Sequence, residues 1–341
     1  MLKVLEGLLG MRLNRVWLFA VILTIACGLN IAPASAATSK DKEKQTKTTK
    51  VVVKSAKKPK TVRVTVTRAN APEVAAPPSF ATALGLRGQH DDLSLKSSVA
   101  MVVNQDTKEV YFEKNPKVSL PIASITKLMT AMVVLDSRLP LDETIVINAE
   151  DAHIYRRSRV AEGTAMSREE ALHLALMSSE NRAAYTLGRN YPGGVPAFVD
   201  AMNRKARELG MDHSHFADPT GLLSENVATA EDLTRMVNAA YQYSQIRQVS
   251  TTASQEFPVS RARHPVNFSN TNMLVRNSSE RWDIGLSKTG YISEAGRCLV
   301  MQAKISGKDV VLVFLNSVGK LSRIGDAERI RKWLEKNQPS S

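Results

Sequence analysis

Residues 121–136 read Pro121-Ile-Ala-Ser124-Ile-Thr-Lys127-Leu-Met-Thr-Ala-Met-Val-Val-Leu-Asp136. Leu128, Met129, Met132, Val133 and Leu135 recur at intervals of three and four, which predicts a helix with one buried face, beginning near the serine. A serine and a lysine three apart in a first helical turn share a face. The helix N-terminus also lowers the energy of negative charge at the serine oxygen. The same Ser-x-x-Lys spacing recurs at Ser39, Ser55 and Ser317, so helical context, not spacing, singles out Ser124 and Lys127.

Upstream, Ser98–Val103 and Glu109–Phe112 flank the polar turn Asn104–Lys108 and read as a β-hairpin. Downstream, Ser167-Arg-Glu-Glu170 is a capping box opening the helix Ala171–Met177, and Thr229-Ala-Glu-Asp232 caps another. The last third returns to strands: Trp282–Gly290, Arg297–Ile305 and Val310–Asn316. A closing helix, Ser322–Lys336, aligns Ile324, Ala327, Ile330, Trp333 and Leu334 on one stripe. This order predicts an α+β fold, an antiparallel sheet from segments 97–115 and 282–337 flanked by helices, with a mostly helical subdomain over 122–275 and a cleft between them.

The 341 residues carry a formal charge of +13, but 14 Lys/Arg against 3 Asp/Glu in residues 1–70 account for +11 of it. The remainder is globular in composition, which excludes collagen-like, disulfide-scaffold and wholly disordered chains. Arg12 and Arg15, the apolar run Val16–Ile25 and Ala34-Ser-Ala36 match a secretory signal peptide over residues 1–36. An uncleaved anchor is the alternative. Export to the periplasm is expected, leaving Cys298 as the single cysteine of the mature chain. Residues 37–92, basic and Pro-containing, read as a disordered tether, with an electrostatic contact to membrane or wall polymer as its sharper interpretation. The domain follows over 93–337, then a tail, 338–341.

Two further motifs complete a set. Ser-x-Asn occurs at Ser179-Glu-Asn181, in the turn after a strong helix, and again at Ser224-Glu-Asn226 in a Gly/Pro-rich loop; the first is favoured. Lys288-Thr289-Gly290 occurs once, at the end of an apolar strand, where Gly290 lets a substrate backbone approach closely. Lys288 and Thr289 alternate across a regular strand, so a twist or bulge is expected to re-aim one of them.

In this order, the three motifs are those of penicillin-binding proteins and β-lactamases. With Ala123-Ser-Ile-Thr-Lys-Leu-Met-Thr-Ala-Met, Leu176-Met-Ser-Ser-Glu-Asn-Arg-Ala-Ala and Phe216-Ala-Asp-Pro-Thr-Gly-Leu, the chain resembles the small penicillin-binding proteins that are D-alanyl-D-alanine endopeptidases, over roughly 93–337. The resemblance implies a D,D-peptidase/β-lactamase-like fold and a periplasmic serine hydrolase that cuts D-alanyl cross-links in peptidoglycan, with β-lactams as covalent inhibitors. It implies Ser124 as nucleophile, Lys127 as general base held partly neutral by burial and by Lys288, and Ser179 in proton transfer. Asn181 would orient the acyl chain and Thr289 contact a substrate carboxylate. The backbone N–H groups of Ser124 and Tyr291 would stabilise the oxyanion.

The same residues would serve a D,D-carboxypeptidase acting on uncrosslinked stem peptides. A β-lactamase would need a deacylating base, and no Glu-x-x-Leu-Asn segment supplies one. A non-catalytic wall-binding protein would rest on the basic tail alone, which lacks the aromatic interleaving of a nucleic-acid binder. His213-x-His215 has no partner at metal-ligand spacing, and Asp218-Pro-Thr-Gly221 reads first as a turn, with Asp218 as a brace for the cleft the alternative. The mechanism requires no cofactor or metal.

Overall fold

The computed structural model describes residues 49–53, 60–64, 78–154, 158–277 and 282–337. The chain divides into two units, Met1–Glu73 and Val74–Ser341. The expected signal segment and most of the basic stretch lie outside the described residues.

In the first unit, β1 (Thr49–Val53) and β2 (Lys60–Val64) pair antiparallel. Both strands lie within the stretch read from sequence as a tether, 37–92. Seven of the ten residues are Thr or Val, and β-branched residues suit a strand. The second unit likewise starts before residue 93. A short helix, α1 (Phe80–Ala83), buries Ala81 completely, and Phe80 N–H donates to Glu294 O at 3.1 Å. The Asp91 carboxylate accepts from the N–H groups of Leu93 and Leu95 and pairs with Lys114 at 2.7 Å. Small apolar side chains and one buried ion pair thus hold a stretch whose polarity suggested a linker.

The body then runs β3 (Val99–Asn104), β4 (Val110–Lys114), β5 (Leu120–Pro121), a single 3₁₀ turn (Ala123–Thr126) and α2 (Lys127–Asp136). The helical part continues with β6 (Thr144–Val146), α3 (Ala149–Ile154), β7 (Ala165–Ser167), α4 (Arg168–Met177), α5 (Asn181–Arg189) and α6 (Gly194–Glu208). There follow β8 (Val227–Ala228), α7 (Ala230–Ala240), α8 (Ser244–Ser250), β9 (Ser254–Phe257), β10 (Val266–Ser269) and α9 (Met273–Arg276). The chain closes with β11 (Asp283–Ile292), β12 (Gly296–Ile305), β13 (Lys308–Ser317) and α10 (Ser322–Asn337).

Five strands form one antiparallel sheet in the order β11-β12-β13-β3-β4, so the N-terminal hairpin pairs with the C-terminal meander through β13 and β3. All six β3 residues are buried because both faces of the sheet are covered. Met101, Val103, Val300 and Val313 face the helical part, while Val102, Leu299, Leu312 and Phe314 lie under α10. The α10 stripe packs as its spacing requires, with Ala327, Ile330 and Leu334 buried against that second face. Ser306 and Gly307 both have positive φ, the conformation of the tight turn whose twist matches a two-residue hairpin between β12 and β13. Ser167 caps α4 reciprocally: its Oγ accepts from Glu170 N–H at 3.0 Å and its own N–H donates to Glu170 Oε2 at 2.7 Å.

Truncating Ile330 to Ala removes a fully buried side chain and is expected to cost about 2–5 kcal/mol. Leu321→Ala, at a residue 56% exposed, is expected to stay within about 0.5 kcal/mol. Urea denaturation of the two variants beside the unaltered protein measures both.

Candidate active site

Ser124 sits in the 3₁₀ turn that opens α2, and the backbone around it is tightly constrained. Ala123 adopts φ +48°, uncommon for a residue with a side chain, and Thr126 Oγ1 donates to Ala123 O at 2.7 Å. Two glycines press on this turn. A Cβ at Gly221, which has φ +77°, would lie 2.0 Å from Ala123 O, and a Cβ at Gly290 would lie 2.7 Å from Ile122 O. Gly290 therefore makes room first for the serine turn itself, where the sequence suggested room for substrate.

One helical turn on, Lys127 is fully buried. Its Nζ lies 3.0 Å from Ser124 Oγ, 2.6 Å from Asn181 Oδ1 and 2.6 Å from Thr220 O. Burial lowers the ammonium to about 7 against the pull of Asp218 and Glu180. A neutral amine has two N–H donors and one lone pair. Asn181 Oδ1 and Thr220 O can only accept, so they take the two donors and leave the lone pair for the Ser124 hydroxyl.

The α4–α5 turn brings up the second motif. Ser179 has φ +61°, and its Oγ lies 2.9 Å from Lys288 Nζ. Glu180 caps α5 by accepting from Arg182 N–H at 3.4 Å. Since Lys127 occupies Asn181 Oδ1, the amide N–H groups are what Asn181 has left for a ligand. The rival motif is structural: Asn226 is fully buried, and its Oδ1 accepts from Ala217 N–H at 3.1 Å.

The third motif lies on β11, the edge strand. Its register with β12 is regular from Leu286 to Ile292, and the irregularity falls upstream, between Ile284 and Leu286. No bulge re-aims Lys288 or Thr289. Lys288 pairs with Val300 on the helical face and Thr289 with Leu299 on the other. The long lysine stem returns Nζ to the strand edge, 3.0 Å from Thr289 O, while Thr289 Oγ1 lies 2.7 Å from Thr271 Oγ1. Burial first, then Lys127 and Arg323, holds the Lys288 ammonium well below its usual value. The expected repulsion between the lysines thus acts on Lys288, whereas Lys127 is governed by burial. Tyr291 is 57% exposed, with the Arg297 guanidinium 4.4 Å from its ring centroid.

A cleft of about 360 Å³ joins these groups, lined by Ser124, Ser179, Asn181, Thr289, Gly290 and Tyr291 among others. All the anticipated site residues except the two buried lysines line it directly, and each lysine reaches it through a serine. One feature was not legible in the sequence. Arg323, at the start of α10, also lines the cleft, and its buried Nε and Nη1 have no partner among the described residues. The available signal was a cation in a helix's first turn, where the dipole disfavours it. The Asp218 segment forms the turn its sequence suggests and also braces the site. Its carboxylate accepts from Gly221 N–H at 2.6 Å and Leu223 N–H at 2.8 Å, shaping the turn that presents Thr220 O to Lys127. Among the described residues no group of three His, Cys, Asp or Glu could hold a metal; His213 and His215 serve a loop through their backbone N–H groups, which donate to Asp232 and Val227.

Residues 87–319 match the family model described as D-alanyl-D-alanine carboxypeptidase, peptidase S11. A D-alanyl-D-alanine endopeptidase of Pseudomonas aeruginosa is 49% identical over 246 residues, 72% of this chain and 79% of the relative. One of Escherichia coli is 46% identical over 245 residues, 71% and 78% of the two chains. The crystal structure of the Streptomyces K15 DD-transpeptidase superposes with a TM-score of 0.65 at 27% identity, covering 70% of this chain and 97% of that one. The motifs, the sheet and the matched span agree, and the chain belongs to the D-alanyl-D-alanine carboxypeptidase family of serine peptidases.

Proposed function

We propose that this protein is a penicillin-sensitive serine D,D-endopeptidase that hydrolyses D-alanyl cross-links in peptidoglycan through an acyl-enzyme on Ser124. The observation that carries the reading is the hydrogen-bond set of Lys127, which aims a neutral amine's lone pair at the Ser124 hydroxyl. In the first step the Ser124 proton passes to Lys127 as Oγ bonds to the carbonyl carbon of a D-alanyl residue. The oxyanion is held by the backbone N–H groups of Ser124 and Tyr291. Ser179, held by Lys288, then relays the proton from Lys127 to the leaving amine as the C–N bond breaks, which leaves Lys127 neutral again. Water hydrolyses the ester, with its proton returning through Lys127 to Ser124. A β-lactam follows the same first step, but its amine remains tethered to the acyl group.

Asn181 offers its amide N–H to the acyl chain. Thr289 and Arg323 take the carboxylate beside the leaving amine, because the orphaned guanidinium N–H groups need an acceptor and a carboxylate supplies two. Endopeptidase action is supported by the names of the two relatives above, and carboxypeptidase action by the family description. Cleavage of a cross-linked stem-peptide dimer separates the two. Residues 1–36 act in this reading as a signal for export to the periplasm, and the basic segment after them contacts anionic membrane or wall polymer.

Intact mass spectrometry after incubation with benzylpenicillin is expected to show one added drug mass on the unaltered protein and none on Ser124→Ala; an adduct on Ser124→Ala contradicts the assignment. The acylation rate constant is expected to rise with pH through about 7 and level off, because the lowered Lys127 value makes the amine available as base above that point. A stopped-flow pH series with a chromogenic β-lactam measures it, and a profile still climbing at pH 9 would show an unperturbed lysine.

A further inference from the structure

The cleft extends beyond the groups just assigned, on the side of Ser179 and Thr289 where the leaving amine departs. From Thr289 the wall passes through its 2.7 Å hydrogen bond to Thr271 and on to β10, three residues earlier, where the Phe268 ring is fully buried. Arg159 lies over that ring, its guanidinium carbon 4.1 Å from the centroid, and its Nη1 donates to Asn267 O at 2.9 Å. Phe268 is backed in turn by Phe257 at 5.9 Å and Phe257 by His173 at 5.4 Å, edge to face. An exposed arginine ordinarily samples many rotamers. This one is fixed by a ring and a backbone carbonyl, with its remaining N–H groups unclaimed and its side chain on the cleft lining.

The wall therefore carries two cations, Arg323 and Arg159, and neither makes an ion pair among the described residues. The lining's one carboxylate, Glu180, caps α5. A free D-alanine leaving group has a single carboxylate, which Thr289 and Arg323 would satisfy. A cross-linking stem peptide has that carboxylate and further ones along its branch. We infer that Arg159, stacked on Phe268, is a second anion subsite on the leaving-group side, taking a carboxylate of the departing stem peptide and favouring cross-linked over terminal substrates. This inference rests on the endopeptidase reading.

The test compares the unaltered full chain with Arg159→Gln and Arg159→Lys on three reactants: a purified cross-linked stem-peptide dimer, a linear pentapeptide ending in D-Ala-D-Ala, and benzylpenicillin. For Arg159→Gln, kcat/KM on the dimer is expected to fall about 10-fold, as for loss of a charge-assisted hydrogen bond, with the linear peptide and penicillin acylation within about 2-fold. Arg159→Lys, which keeps the charge but not the planar stack, is expected to recover part of the loss. Equal falls on all three reactants would mean a structural role and overturn the subsite, as would no fall on the dimer. If the unaltered protein leaves the dimer intact but trims the linear peptide, the endopeptidase reading fails, and the subsite with it.

Discussion

The site depends on the burial of one lysine amine among carbonyl oxygens. Lys127 has no access to water, so each hydrogen on its Nζ must find an acceptor in the protein. Asn181 Oδ1 and Thr220 O supply two, both at 2.6 Å, and the third neighbour is the Ser124 hydroxyl. A charged ammonium would have to donate to Ser124 and keep its charge in an apolar interior. The neutral amine makes the same contacts without that desolvation cost, and its lone pair then meets the hydroxyl. Burial moves the equilibrium in the same direction that the hydrogen-bond pattern favours.

Much of the fold serves to hold that amine in place. The 3₁₀ turn and first turn of α2 place serine and lysine together, the α4–α5 turn brings Asn181, and the Asp218 loop brings the Thr220 carbonyl. Gly221 and Gly290 allow the loop and the edge strand to close on the Ile122–Ser124 backbone from two sides. The sheet, built from both ends of the body, presents Lys288 and Thr289 from an edge strand that pairs with no second strand on its cleft side among the described residues. That open edge explains how residues on opposite faces of β11 both reach the cleft without a bulge.

Long-range assembly was legible in the sequence where local pattern and chemistry coincided. The buried run at 99–103, the stripe on α10, the capping box at Ser167 and the three short motifs all follow from periodicity or from residue types with few alternatives. Features that depend on tertiary context were not legible. Thr220 contributes only a backbone oxygen, which leaves no trace in residue identity. Arg323 gives only the weak signal of a cation in a first helical turn, and its unpartnered N–H groups emerge only when α10 packs on β12 and β13 and its first turn reaches the cleft. The stretch from Pro78 to Asp92 looked like linker because its anchors, Ala81 and the Asp91–Lys114 pair, are short or polar and depend on distant partners.

The most direct measurement is a ¹³C NMR titration of the Lys127 ε-carbon in lysine-labelled protein, assigned by comparison with Lys127→Arg. A midpoint of about 7 is expected. A Lys127 signal that keeps its charged shift up to the ordinary lysine value of about 10.4 would contradict it, because the amine would then have no lone pair to offer Ser124 at neutral pH.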